Sequence, residues 1–325
     1  MRVSILVPVY NDWPAVAEVL KQLGAVLKDR EDEFRLVIVN DGSTDEHGGL
    51  QLGAPFRGGE ELRLRRNLGH QRAIAIGLAW LLEHEPGDAV AVMDGDGEDR
   101  PGDVPRLLDR FAAGGGSVSV FAERRRRSEG LVFSFLYALY RWLHRIATGL
   151  PVRIGNFSVL SRAHLGSFAV SSDAWNHYAA AMLRLGVPLA TVPTDRGIRF
   201  TGKSKMNLVA LMRHGLFALA VFADLIAVRL LVATGVMCGL TLVLVLLFAA
   251  IRLFTAWALP GWTLYASAFV LIILLQILSL TFSATLHAFS GSAAAPFLPV
   301  RDYSHFVQEA VEIPCPPVRG FSSAR

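Results

Sequence analysis

Two aspartates one residue apart, Asp94 and Asp96, follow the apolar run Ala89-Val90-Ala91-Val92-Met93 in the segment Asp94-Gly95-Asp96-Gly97-Glu98. Carboxylates at that spacing, at the end of a strand, can share one hard divalent cation through oxygen ligands. A cation so held suits the diphosphate of a nucleotide-activated substrate. Taken alone, Asp-x-Asp more often marks a solvated turn. The buried-looking strand before it and Glu98 just after it favour the metal. Gly95 and Gly97 let the backbone approach a ligand closely. Glu98 reads equally as a third ligand or as a solvent-facing side chain.

Other polar clusters have two readings each. Asp41, in Val39-Asn40-Asp41-Gly42-Ser43-Thr44-Asp45, fits an Asx turn capping the next helix through Ser43 or Thr44. It also fits a carboxylate that accepts hydrogen bonds from a base or ribose. Asn67-Leu68-Gly69-His70-Gln71 opens a helix, where free backbone N–H groups favour anions, while a lone His70 is more often structural. Arg199-Phe200-Thr201-Gly202-Lys203-Ser204-Lys205 packs three cations around a glycine. They suit anionic lipid headgroups, or, if the loop folds over a cleft, Arg199 and Lys205 neutralise a leaving diphosphate or bind a phosphorylated acceptor. The run Arg124 to Arg127 reads as a solvated basic loop.

The elements that must position these residues alternate. Ile5–Val9, Leu36–Val39, Leu62–Arg65, Ala89–Met93 and Ser117–Phe121 read as strands. Trp13–Leu27, Gln71–Leu82 and Pro101–Phe111 read as helices. The rhythm predicts an α/β domain with a parallel, helix-covered sheet. In such sheets ligands collect beyond the carboxyl ends of the strands, where Tyr10-Asn11-Asp12, the Asn40–Asp45 cluster and Asp94–Glu98 all fall. Residues 123–206 are less regular, with an apolar helix near 131–146 and the segment Gly155-Asn156-Phe157-Ser158, and read as the acceptor side of the same domain.

Of the 325 residues 52% are hydrophobic and 18% charged, and the net charge is +4. That balance admits nucleic acid, anionic lipid or a phosphorylated ligand. Cys238 and Cys315 are the only cysteines, which argues against a disulfide framework or a cysteine metal site. The early run Val3–Val9 is too short and wrongly flanked for a signal peptide. No charge interrupts Leu231–Ile251, and Thr263–Leu286 carries Gln276 as its one strongly polar side chain. Each meets the requirement of roughly 20 apolar residues for a crossing, so the pair reads as a transmembrane hairpin, and a nucleic-acid surface beside it is disfavoured. Lys203, Lys205, Arg213, Arg229 and Arg301 flank the hairpin against Arg252 in its turn, which places the catalytic domain and both termini in the cytoplasm. His214–Val228 is apolar but short, and Asp224, Arg213 and Arg229 make a crossing costly. It reads as an interfacial helix, the alternative being a third span with Asp224 neutralised. The expected division is an α/β domain for a nucleotide-activated substrate over 1–206, the interfacial segment over 207–229, two spans over 230–288 and a largely unstructured tail over 289–325.

Together, Val7-Pro8-Val9-Tyr10-Asn11-Asp12, the Asn40–Asp45 cluster, Asp94-Gly95-Asp96 and Arg199–Lys205 give a chain that resembles family 2 glycosyltransferases. Its nearest resemblance is to the membrane-anchored polyprenyl-phosphate group related to dolichol-phosphate mannose synthases. The resemblance implies a GT-A-like, Rossmann-type nucleotide-sugar domain with a mostly parallel sheet. It implies that Pro8, Tyr10, Asp12, Asp41, Asp94 and Ser204 line the nucleotide-sugar pocket, with Asp12 where relatives often have Glu. It further implies that Asp94, Asp96 and Glu98 hold Mg2+ or Mn2+, Glu98 standing where Gln is common. Asp96, Arg199 and Lys205 would carry the catalysis, Arg199, Ser204 and Lys205 matching the Arg-x-x-Gly-x-Ser-Lys segment. Asn156 stands where relatives often have Asp, and an amide cannot act as a general base.

The departure at Asn156 favours a phosphate acceptor, because a phosphate monoester has a second pKa near about 6 and is already ionised at neutral pH. The expected reaction is inverting transfer of a hexose from a UDP- or GDP-sugar to a polyprenyl phosphate. A processive synthase is a weaker fit, since Ala138 stands where a Gln-x-x-Arg-Trp segment ending at Arg141-Trp142 would need glutamine. A non-catalytic membrane partner is a further alternative. The spans are compatible with a homo-oligomer, as apolar helices pack with one another or with lipid.

Overall fold

The computed structural model describes residues 1–45, 48–124, 142, 144–150, 154–201, 208–254, 261–290 and 297–315. Strand β1 (Arg2–Val9) is buried at every position after Arg2, as a strand flanked on both edges and covered on both faces must be. It pairs in parallel with β2 (Glu33–Asn40) and with β4 (Ala89–Val92). Beyond β2 lies β3 (Phe56–Leu64), also parallel, and beyond that the antiparallel β8 (Val307–Glu312). On the other side β6 (Ile154–Ser161) runs antiparallel to β4 and β5 (Ser119–Arg124), and β7 (Leu189–Thr194) runs parallel to β5. The result is one mixed, mostly parallel eight-stranded sheet in the order β7-β5-β6-β4-β1-β2-β3-β8.

Alternation along the strands divides the core in two. Val3, Ile5, Val7 and Val9 of β1 face α1 (Trp13–Leu27) and α3 (Val104–Ala113), which contribute Val16, Leu23, Leu107 and Phe111. Leu6 faces the opposite layer, built by α2 (His70–His84), α4 (Arg162–Ala169) and α5 (Tyr178–Leu185), with Ile74, Phe168 and Tyr178. Fully burying each such side chain stabilises by roughly 1.5–3 kcal/mol.

The carboxyl-terminal segment corrects the expectation of an unstructured tail over 289–325. Phe297 and Phe306 pack around Trp175, and β8 then adds an edge to β3, with Leu62 opposite Ala310. The larger unit is therefore discontinuous: the described residues from Phe297 on cluster with the amino-terminal strands and helices, so the unit does not end at 206. Helix α6 (Leu208–Ala220) belongs to this unit and exposes Met212, Leu216 and Phe217.

The second unit holds two apolar helices, α7 (Ala223–Phe254) and α8 (Trp262–Ser290), packed as a hairpin. Both are long and apolar enough to cross a membrane. Thr234 and Thr281 share a buried hydroxyl contact of 2.9 Å between them. The expected boundary at 229 shifts: α6 stops at Ala220, and Asp224 and Arg229 lie within α7. The break falls where the Val221 carbonyl accepts from the Arg184 guanidinium. At about 1.5 Å per residue α7 is some 48 Å long, against a hydrocarbon core of roughly 30 Å. Asp224 and Arg229 at one end and Arg252 at the other thus sit outside its uncharged middle.

Candidate active site

The carboxyl ends of β1, β2 and β4 lie side by side, which gathers Asp12, Asp41, Asp94 and Asp96. Asp12 occupies the N-cap position of α1, yet its side chain makes no capping bond. It turns instead to Arg199, whose guanidinium pairs with Oδ2, and to Thr201, whose hydroxyl donates to Oδ1 at 3.3 Å. The same guanidinium donates through Nη1 to Asp96 Oδ2 at 2.8 Å and through Nε to the Thr201 carbonyl at 2.9 Å. Arg199 therefore bridges the ends of two strands, and all three side chains are about four-fifths buried, at 18% to 20% exposure.

The segment that carries Arg199 is tied down over the Asp94–Glu98 turn. Gly197 N–H donates to the Glu98 carbonyl at 2.8 Å and Phe200 N–H to the Asp96 carbonyl at 3.0 Å. Gly97 adopts φ +90°, and a Cβ there would fall 2.6 Å from the Phe200 ring. Gly95 makes its close approach to Val16 and Val7, which sets the turn against α1 and β1. Glu98, expected beside the two aspartates as a ligand, gives its carboxylate to Arg196 in a bidentate pair at 2.6–3.0 Å. Together with the two backbone hydrogen bonds, the Arg196–Glu98 pair forms a clasp that holds the segment over the turn.

Asp41 is buried, and its two oxygens accept the backbone N–H groups of Leu68 at 2.7 Å and Gly69 at 2.9 Å. The carboxylate thus serves the open amino end of α2, where Gly69 has no side chain to cap it. Burial pushes Asp41 above the ordinary carboxylate range, against these bonds and the nearby His70 and Arg72. Asn11, at φ +48°, locks the neighbouring loop by accepting from Thr44 N–H and donating to the Thr44 hydroxyl. Pro8 is buried inside β1 opposite Val39, while Tyr10 stands at the rim, 39% exposed. Ser204 and Lys205 lie outside the described residues.

Antiparallel pairing of β6 with β4, in which Ser158 faces Val92, brings Asn156 across from Asp94. His70, the first residue of α2, fills the gap: its Nε2 lies 3.1 Å from Asp94 Oδ1 and 2.9 Å from Asn156 Nδ2. The Asn156 amide is oriented by Gln71, whose Nε2 donates to its Oδ1 at 3.1 Å while the Gln71 carbonyl accepts from Tyr178 N–H at 2.7 Å. A backbone donor at the end of this chain fixes the direction of every amide in it. His70 is raised above the ordinary imidazole value: loss of water holds it down, and the carboxylates of Asp94, Asp99 and Asp96 more than make that up. Asp96 is also raised, by burial first and then by Asp94 and Glu98, with Arg199 opposing.

Among the described residues no three His, Cys, Asp or Glu side chains gather as a protein-only metal cage. Magnesium-like cations are commonly held by one or two carboxylates plus substrate phosphates and water. Asp94 and Asp96, crowded enough to raise Asp96, fit that incomplete oxygen set.

The chain is similar to known proteins in sequence and in fold. A solved structure of glucosyl-3-phosphoglycerate synthase from Mycobacterium tuberculosis, in complex with Mn2+, uridine diphosphate and phosphoglyceric acid, matches with a TM-score of 0.50 at 18% identity, over 69% of this chain and 78% of that one, a likeness of fold. The chain is 26% identical over 280 residues to undecaprenyl-phosphate 4-deoxy-4-formamido-L-arabinose transferase of Edwardsiella ictaluri (strain 93-146), covering 83% of this chain and 84% of that protein. To the protein of the same name from Pseudomonas paraeruginosa (strain DSM 24068 / PA7) it is 34% identical over 129 residues, or 39% of this chain and 37% of that one. The family model of glycosyl transferase family 2 matches residues 4–166, half of the sequence and every strand that delivers a site aspartate, and the chain belongs to that family.

Proposed function

We propose that the chain transfers a single hexose from a UDP- or GDP-sugar to a polyprenyl phosphate, with inversion, at the cytoplasmic face of a membrane. The observation that carries this reading is the Arg199 guanidinium set between Asp12 and Asp96 at the strand ends, which puts a cation for a diphosphate and carboxylates for a metal within one cluster. The relative of like length named as an undecaprenyl-phosphate sugar transferase and the two helices long enough to cross a membrane support the lipid acceptor. The lysines and arginines flanking the hairpin support the cytoplasmic face.

Asp94 and Asp96 would hold Mg2+ or Mn2+, which when bound supplies charge neutralisation to the donor diphosphate. Tyr10, Asp12 and Asp41 border the nucleotide, Asp41 chiefly by shaping the loop at Leu68 and Gly69. Arg199, with Ser204 and Lys205, stabilises the negative charge that grows on the leaving group. In the step itself an acceptor phosphate oxygen forms a bond to the anomeric carbon as the bond from that carbon to the diphosphate oxygen breaks. The electron pair leaves with the nucleoside diphosphate, and no proton has to be removed. The amide of Asn156 is thereby sufficient. Arg72, stacked 4.9 Å from the Trp175 ring, is held below the usual arginine range by burial and by Arg66 and Arg213. Crowded cations of this kind suit an incoming phosphate.

The test offers the purified chain, in lipid, radiolabelled UDP- and GDP-hexoses together with polyprenyl phosphate or unphosphorylated polyprenol. A lipid-linked monosaccharide formed with the phosphate alone is the expected product. Equal transfer to polyprenol, a polymer, or free sugar as the sole product would contradict the reading.

A further inference from the structure

We infer that Arg199 is the resident cation of the donor site: without donor it neutralises Asp12 and Asp96, and a divalent ion reaches Asp96 only as the guanidinium moves off. The inference rests on the reading of Asp94 and Asp96 as the metal carboxylates and adds a competition between the protein's own cation and the metal.

Both Asp96 oxygens are engaged, Oδ1 by Glu98 N–H at 2.9 Å and Oδ2 by Arg199 Nη1 at 2.8 Å. A metal ion that took Oδ2 would stand beside the guanidinium on the same oxygen, and two adjacent cations repel. Arg199 has its Nη2 on Asp12 and its Nε on the Thr201 carbonyl, so leaving Asp96 breaks up a three-partner arrangement. It must exchange partners outright. The backbone beneath it need not move, because the Gly197 and Phe200 bonds to the turn and the Arg196–Glu98 pair hold the segment independently of the Arg199 side chain. The side chain is thus a short arm on a fixed base, able to pass from carboxylates to a diphosphate.

Two consequences follow from the exchange. Divalent ion alone binds weakly, since it must displace Arg199 into water. Nucleoside diphosphate gives the guanidinium a new anionic partner, so nucleotide and metal each tighten the other by the same factor.

The test measures Mn2+ affinity of the full chain in detergent without nucleotide, by electron paramagnetic resonance of free Mn2+, for the unmodified protein, Arg199→Gln and Arg199→Lys. The glutamine variant is expected to bind Mn2+ at least tenfold more tightly, while the lysine variant, which keeps the charge, stays near the unmodified affinity. Equal Mn2+ affinity in the glutamine variant and the unmodified protein, with Mn2+-dependent UDP or GDP binding intact, would overturn the competition and leave the proposed function standing. Tightening in both variants would also overturn it, by pointing to a loosened loop rather than a removed charge. No Mn2+ binding to the unmodified protein even with UDP or GDP would remove the metal reading itself, and the inference with it.

Discussion

Gly197→Ala strikes the clasp at its tightest point. A Cβ there would lie 2.2 Å from the Gly97 carbonyl oxygen, 2.9 Å from Arg100 Cγ and 3.2 Å from the Glu98 carbonyl oxygen, where ordinary contact begins at 3.4 Å. Two of these atoms are backbone and cannot rotate away, so the segment must withdraw by about 1 Å. That withdrawal opens the Gly197-to-Glu98 and Phe200-to-Asp96 hydrogen bonds, together worth about 1–3 kcal/mol. It also carries Arg199 off its place, and a displacement near 1 Å at a reacting centre can cost on the order of 100-fold. Steady-state transfer to polyprenyl phosphate should show kcat/KM lowered roughly 30- to 100-fold. Melting should fall by no more than about 4 °C, because the clasp lies at the rim of the sheet. Gly102→Ala, where an added Cβ meets nothing within 4 Å, serves as the control and should keep normal kinetics. Normal kcat/KM in Gly197→Ala would refute the claim that the clasp positions the site.

Other perturbations separate chemistry from stability. The rate of transfer should rise through about pH 6, as the acceptor phosphate loses its second proton, and then level; a continued rise above pH 8 would show that a base is needed after all. Asp96 is raised in the folded state from 3.8, so its ionisation opposes folding: its favourable contribution is complete below pH 3.8 and lost as pH rises through the folded value. Asp96→Asn should therefore melt higher than the unmodified protein at pH 7 and no higher at pH 3, while abolishing transfer; a lower melting point at pH 7 would show the sign to be wrong. Phe306→Ala removes a ring 5.1 Å from Trp175 and 5.7 Å from Phe297, and should cost about 1–3 kcal/mol in denaturant unfolding. No change there would show that β8 is held by its ladder alone.

What the sequence reveals follows the range of the interactions concerned. The strands carrying Asp12, Asp41 and Asp94 are continuous apolar runs with turn residues at their ends, signals contained within a few neighbouring positions. The meeting of His70, Asn156 and Asp94 depends on the antiparallel register of β6 against β4, which no local pattern states. Glu98 and Arg196 are 98 positions apart, so nothing near Glu98 shows that its carboxylate is already paired. β8 escapes notice for another reason: Val307–Glu312 is short, polar and exposed along much of its length, as edge strands often are, and it returns to the sheet only after the apolar hairpin. The end of α6 is set by Arg184 reaching the Val221 carbonyl, with neither proline nor glycine to mark it. Arg199 is legible as a candidate site residue, whereas its pairing with Asp12 and Asp96 is not, since they lie 187 and 103 positions away.

Calorimetric titration of UDP and of GDP into the full chain, with Mn2+, with chelator, and into Asp96→Asn with Mn2+, bears most directly on the central claim. The expected result is saturable binding of one nucleotide with Mn2+, weakened at least tenfold by chelator and by the substitution alike. Equal affinity under all three conditions, or no binding of either nucleotide, would contradict it.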